Sequence, residues 1–121
     1  MWRTIAVPGD IPLDFLANTI LDAYEFDHDH LDRFTYTDRF GVPRHVNHPY
    51  LEEAPSTEEV RVGDLPLTPG DTLTYLFDFG DSWRFKVQLE RIDAPDAEIA
   101  SPAVLESQGE APEQYPTWDE W

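Results

Sequence analysis

The chain has 121 residues, 40% of them hydrophobic and 13% aromatic, enough for one domain with a modest core. Its formal net charge of -17, from 25 acids against 8 bases, disfavours direct DNA binding, which depends on Lys and Arg displacing counterions; a basic protein, a cation or no charged partner fits better. The lack of cysteine excludes disulfides, thiol nucleophiles and Cys-ligated zinc, and with neither an apolar run near the roughly 20 residues of a membrane span nor a signal peptide, the expected location is cytoplasmic, with no membrane contact.

The first expected element is a strand, "WRTIAV", Trp2 to Val7. The main helix follows in "PGDIPLDFLANTILDAYEF". Asp10 is placed to cap it and Pro12 suits its first turn. Leu13, Leu16, Ala17, Ile20, Leu21 and Tyr24 form a stripe with steps of three and four. "DHDH" then leads into a strand from Leu31 to Thr37. "DRFG" is a turn, and "VPRHV" returns as an edge strand, because proline cannot donate to a ladder. Asn47 to Glu59 is acidic with two prolines and reads as a loop, Val60 to Val62 as a short strand, and "TPGD", Thr68 to Asp71, as a turn.

The clearest feature is a hairpin. Leu73, Tyr75, Phe77 and Phe79 are expected on one face of its first strand, and Trp83, Phe85, Val87 and Leu89 on one face of its second. "GDS" supplies the turn, with Gly80 expected to take positive φ. The remainder, from Asp96, has seven acids and no base; it reads as an irregular tail, loose or docked, whose Tyr115, Trp118 and Trp121 are unusual in a free tail. The order of elements indicates an α+β fold: a mostly antiparallel sheet with one helix on a face. The expected division is a domain over 1–95 and an acidic tail over 96–121.

"WRTIAVPGDIPLDFLANTIL", "DHLDRF" and "LTYLFDFGDSWRFKVQLERI" resemble, in that order, the plasmid pRiA4b ORF-3-like family over residues 2 to 92. The specific signature is Asp-Phe-Gly-Asp-x-Trp, here Asp78 to Trp83. The resemblance implies an α+β fold and no established activity. It also implies a link to bacterial insertion elements, whose passenger proteins of this type carry the label TnpR. The chain departs from the family pattern in three ways. A further strand usually precedes the Trp-Arg pair. A histidine usually stands two positions after the motif tryptophan, where Phe85 stands here. The C-terminal Pro-Pro-Glu-Asp-Cys-Gly-Gly segment survives only as Ala111, Pro112 and Glu113.

The residues themselves nominate one functional cluster: Asp78, Asp81, Trp83, His28 and His30. Two carboxylates a turn apart with nearby histidines could hold a divalent cation or work as acid and base. The plainer reading is that both aspartates bond turn amides. The hairpin aromatics could stack bases, but the helix stripe needs a partner, so core is the better reading. Arg44, His45 and His48, and the acidic run of Glu52, Glu53, Glu58 and Glu59, read as solvated surface. No nucleophile elbow, P-loop or dinucleotide fingerprint is present, so no cofactor is expected. The leading expectation is a non-enzymatic binding or accessory module acting on a protein partner. Its rival is a metal-dependent enzyme using Asp78, Asp81 and His30 on a nucleic-acid or phosphate-ester substrate.

Overall fold

A computed structural model describes residues 1–94 and 101–114. The helix α1 runs Leu13–Ala23 and buries Leu13, Leu16, Ala17, Ile20 and Leu21, the stripe read from the sequence. Its start differs from expectation. The cap position is Pro12, and no side chain, Asp10 included, caps the helix. Two of the N–H groups a helix leaves unpaired at its start are taken up by a distant loop. Leu13 N–H donates to Val60 O at 2.9 Å and Asp14 N–H to Thr57 O at 3.1 Å. At the other end Glu25 takes a left-handed φ of 60°. Glu25 N–H donates to Asp22 O at 3.1 Å and Phe26 N–H to Leu21 O at 2.8 Å, the paired bonds of a Schellman stop. That stop turns the Phe26 ring into the core.

The principal sheet has four antiparallel strands in the order β3-β2-β4-β5. They are β2 (Asp32–Thr37), β3 (Pro43–Asn47), β4 (Thr72–Phe77) and β5 (Trp83–Gln88). Pro43 lies on the edge strand β3, where its missing N–H removes nothing from the sheet. The strand expected near Val60 to Val62 does not form; a 3₁₀ turn, Val62–Asp64, follows it. The backbone there is engaged with the start of α1: Val60 O accepts from Leu13, Val62 N–H donates to Ile11 O at 2.9 Å, and Gly63 N–H donates to Gly9 O at 2.8 Å. The expected loop after Asn47 includes a 3₁₀ turn, Pro49–Leu51.

Side chains alternate across the sheet. One face, carrying Phe34, Val46, Leu73, Tyr75 and Phe77, joins the α1 stripe and Phe26 in one core, with Trp83, Phe85 and Val87 packed half-buried against it. Each fully buried large apolar side chain is worth roughly 1.5–3 kcal/mol. The aromatics therefore serve the core, as their alternation implied. Phe79 is the exception. The strand ends at Phe77, the chain turns through a left-handed Asp78 with φ 60°, and Phe79 lands at 5.2 Å from the Arg33 guanidinium. Arg33 belongs to the opposite face.

A second, two-stranded antiparallel sheet pairs β1 (Trp2–Ala6) with β6 (Ala103–Gln108), with an irregularity between Thr4 and Ile5. The segment expected to be irregular tail thus contains a strand. Its anchors were not apparent in the sequence. Arg3 donates from Nε to Ala23 O at 3.1 Å, satisfying a carbonyl at the end of α1, and from its guanidinium to Gln108 O at 3.0 Å. Its guanidinium also stacks over Tyr24 at 4.7 Å. A cation is favourable at a helix C-terminus, so one side chain fastens β1, β6 and α1 together. Gln114 is buried and its Oε1 accepts from Asp27 N–H at 2.6 Å. Tyr115, Trp118 and Trp121 lie outside the described residues.

Candidate functional site

The connection between β4 and β5 is five residues long, Asp78 to Ser82, with Phe77 opposite Trp83. Its left-handed positions are Asp78 and Ser82, at φ 60° and 55°. Gly80 is not among them, contrary to the sequence expectation. A Cβ there would lie 3.4 Å from Asp78 Oδ1, an ordinary contact. Asp78 is the hub. Its carbonyl accepts from Ser82 N–H at 2.6 Å and its own N–H donates to Leu31 O at 3.0 Å, which ties the turn to the start of β2. Its Oδ1 accepts from Gly80 N–H at 3.1 Å and Asp81 N–H at 3.2 Å. Asp tolerates the left-handed region better than most residues because its side chain bonds the local backbone in this way.

The second oxygen, Oδ2, faces His30 Nε2 at 3.3 Å. The Asp78 side chain is 7% exposed and that of His30 37%. His30 also packs edge-on against Phe77, with ring centroids 5.8 Å apart, and lies 3.8 Å from Asp29 Oδ1. The fold therefore brings together two of the five nominated side chains. Asp81 contributes its amide to the turn and is exposed. His28 pairs with Asp22 at 2.8 Å on the surface. Trp83 packs edge-on against Phe26 at 5.0 Å, and its Nε1 is buried without a hydrogen-bond partner among the described residues. No three His, Cys, Asp or Glu side chains among the described residues converge as a metal-ligand set. A cavity of about 390 Å³ lies elsewhere, lined by Tyr24, Glu25, Asp27 and residues 111–114.

A second polar centre escaped the sequence reading. Asp32 sits at the start of β2, buried, and its Oδ2 accepts from Tyr75 Oη at 2.6 Å. Its Oδ1 is buried with no partner among the described residues. Burial raises the Asp32 carboxyl above the ordinary carboxylate range, against the opposing pull of the Tyr75 hydroxyl and of His48. Burial, and then the Asp32 charge, push the Tyr75 phenol far above its ordinary range. The clue was parity: Asp32, Phe34 and Tyr36 share one side of β2, and Phe34 is core.

The helix α1, an antiparallel four-stranded sheet and an aspartate-centred aromatic hairpin define an α+β protein whose signature turn pairs a buried aspartate with a histidine. The model of the plasmid pRiA4b ORF-3-like protein family matches residues 1–115, and the chain belongs to that family. A search of curated proteins finds no match. Among solved structures it is similar to MM3350, a protein of unknown function from Methanosarcina mazei Go1, with a TM-score of 0.77 and 25% identity. The likeness covers 91% of this chain but 62% of that one.

Proposed function

We propose that the protein is a non-enzymatic binding or accessory module acting through protein contacts. The observation that carries this reading is the tip of the β2–β3 hairpin. Asp38 Oδ1 accepts from Phe40 N–H at 2.9 Å and from Val42 N–H at 3.0 Å, while Arg44 Nε donates to its Oδ2 at 2.9 Å. These bonds fix the tip, yet the Phe40 side chain it presents is 81% exposed. Exposed single apolar residues are ordinary. A phenylalanine on a pre-ordered turn has already lost the chain entropy that binding would otherwise cost, and aromatic residues and arginine are enriched at protein interfaces. Arg39 and Arg44 flank it within a strongly acidic chain. The test is affinity capture from native lysate with wild type and Phe40→Ala, alongside size exclusion. A partner retained by wild type and lost by the variant supports the reading; an inert monomer in both assays removes it.

One contact favours the rival, a metal-dependent enzyme acting on a nucleic acid or phosphate ester: His30 beside Asp78. Calorimetric titration with Mg, Mn, Zn and Ca tests it, and no heat with any of the four defeats the metal version. A role within mobile elements would run through the protein partner, and gel shifts with and without that partner would reveal it.

A further inference from the structure

The outward face of the four-stranded sheet has a charge opposite to that of the molecule. Strand register places Asn47, Arg33, Leu76 and Arg84 in one row and His45, Thr35, Thr74 and Lys86 in the next; the pairs Pro43–Thr37 and Thr72–Gln88 follow at the same parity. Contacts confirm the shared face: His45 Nδ1 lies 2.8 Å from Thr35 Oγ1, and Phe79 stacks beside Arg33. Of these twelve positions three are Arg or Lys and none is Asp or Glu, in a chain with 25 acids and 8 bases. Arg84 and Lys86, both exposed, stand two residues apart on β5, about 7 Å along the strand.

β5 is also the end strand of the sheet, and no described strand pairs with its outer edge. Its inward side chains, Trp83, Phe85 and Val87, are only half-buried. Among the described residues the edge therefore presents backbone groups without a ladder partner, between a basic face and an apolar one. We infer that β5 accepts an extended acidic segment of a partner protein by strand addition. In that segment Asp or Glu alternates with apolar residues. The carboxylates lie beside Arg84 and Lys86, the apolar side chains extend the face of Trp83, Phe85 and Val87, and main-chain bonds supply the rest. The inference rests on the protein-contact reading and names the chemistry of the partner. A nucleic acid fits less well: this face has one aromatic, Phe79, where a stacking platform uses several.

The test uses the full chain and a synthetic octapeptide alternating valine and glutamate, at low salt. Amide resonances of Trp83–Gln88 should shift on titration, and the Arg84→Glu/Lys86→Glu variant should bind roughly tenfold more weakly. An octapeptide alternating valine and lysine should bind that variant and not wild type; this gain excludes a merely unfolded protein. Several outcomes overturn the inference: no shift at β5, equal binding of a scrambled peptide of the same composition, preference for oligothymidylate, or a wild-type dimer joined through β5. The first of these would leave Arg84 and Lys86 as guards against edge-to-edge aggregation. If a Phe40-dependent partner persists while the peptide fails, this inference falls alone; an inert monomer in the capture experiment removes both.

Discussion

The two hairpins of the principal sheet both turn on an aspartate followed closely by phenylalanine and glycine, and the comparison isolates what is particular to the family signature. At the β2–β3 tip Asp38 accepts two backbone N–H groups, and Gly41 supplies the left-handed residue at φ 78°. At the β4–β5 tip Asp78 also accepts two, but it takes the left-handed position itself. Asp38 meets Arg44 at the surface, whereas Asp78 is buried and meets His30. The amide bonds are thus common to both turns and say little about chemistry. The left-handed backbone and the histidine belong to Asp78 alone; burial separates the two only slightly, at 7% side-chain exposure for Asp78 against 13% for Asp38.

The strongest way to break this comparison is to remove each aspartate. Asp78→Ala deprives two amides of their acceptor in a half-buried turn and leaves a left-handed residue without its local bonds. The expected cost is about 2–3 kcal/mol in denaturant unfolding. Asp38→Ala, in an exposed turn, should cost clearly less. Equal losses would mean that Asp78 is only another turn aspartate.

The glycines should respond in the reverse order. Gly41→Ala places a Cβ at φ 78° and is expected to cost about 1–2 kcal/mol, although the space around it is open. Gly80→Ala should cost less than about 0.5 kcal/mol, because Gly80 does not use positive φ and its Cβ would meet only the Asp78 carboxylate at 3.4 Å. Thermal unfolding of the two variants side by side decides this. A larger loss at Gly80 would mean that contact with Asp78 Oδ1 outweighs the backbone term.

That misplaced glycine shows where the sequence was and was not legible. The α1 stripe and the β4–β5 aromatics were readable because hydrophobic period reports burial directly. Chemistry-bearing positions were less so. Phe79 followed the parity of Tyr75 and Phe77 on paper, but a single left-handed residue at Asp78 ended the strand and sent it to the other face. The cap of α1 came from Thr57 and Val60, more than forty residues downstream of the helix start, and no local rule points there. Strand β6 and its Arg3 anchor are likewise non-local, and the acidic composition around β6 concealed it. Of the nominated cluster, His30 and Asp78 meet because Asp78 N–H bonds Leu31 O, the residue next to His30.

The gentlest test compares two aspartates at opposite ends of one strand segment, Asp32 and Asp38. Burial raises the Asp32 carboxyl, so the folded protein keeps a proton there that the unfolded chain has lost. Its contribution to stability is complete below the ordinary carboxylate pKa and is lost as pH rises through the folded value. The Val42 amide, then Arg44 and the Phe40 amide, lower Asp38. Its contribution is present above the ordinary pKa and is lost as pH falls through its folded value. The two slopes have opposite sign. Asp32→Asn should flatten the loss of stability on the rising side of the ordinary carboxylate pKa, and Asp38→Asn the loss on the falling side. Urea unfolding at closely spaced pH values measures both. If Asp32→Asn left the rising side unchanged, Asp32 would be ionised in the folded protein, and its buried Oδ1 would then need a cationic partner.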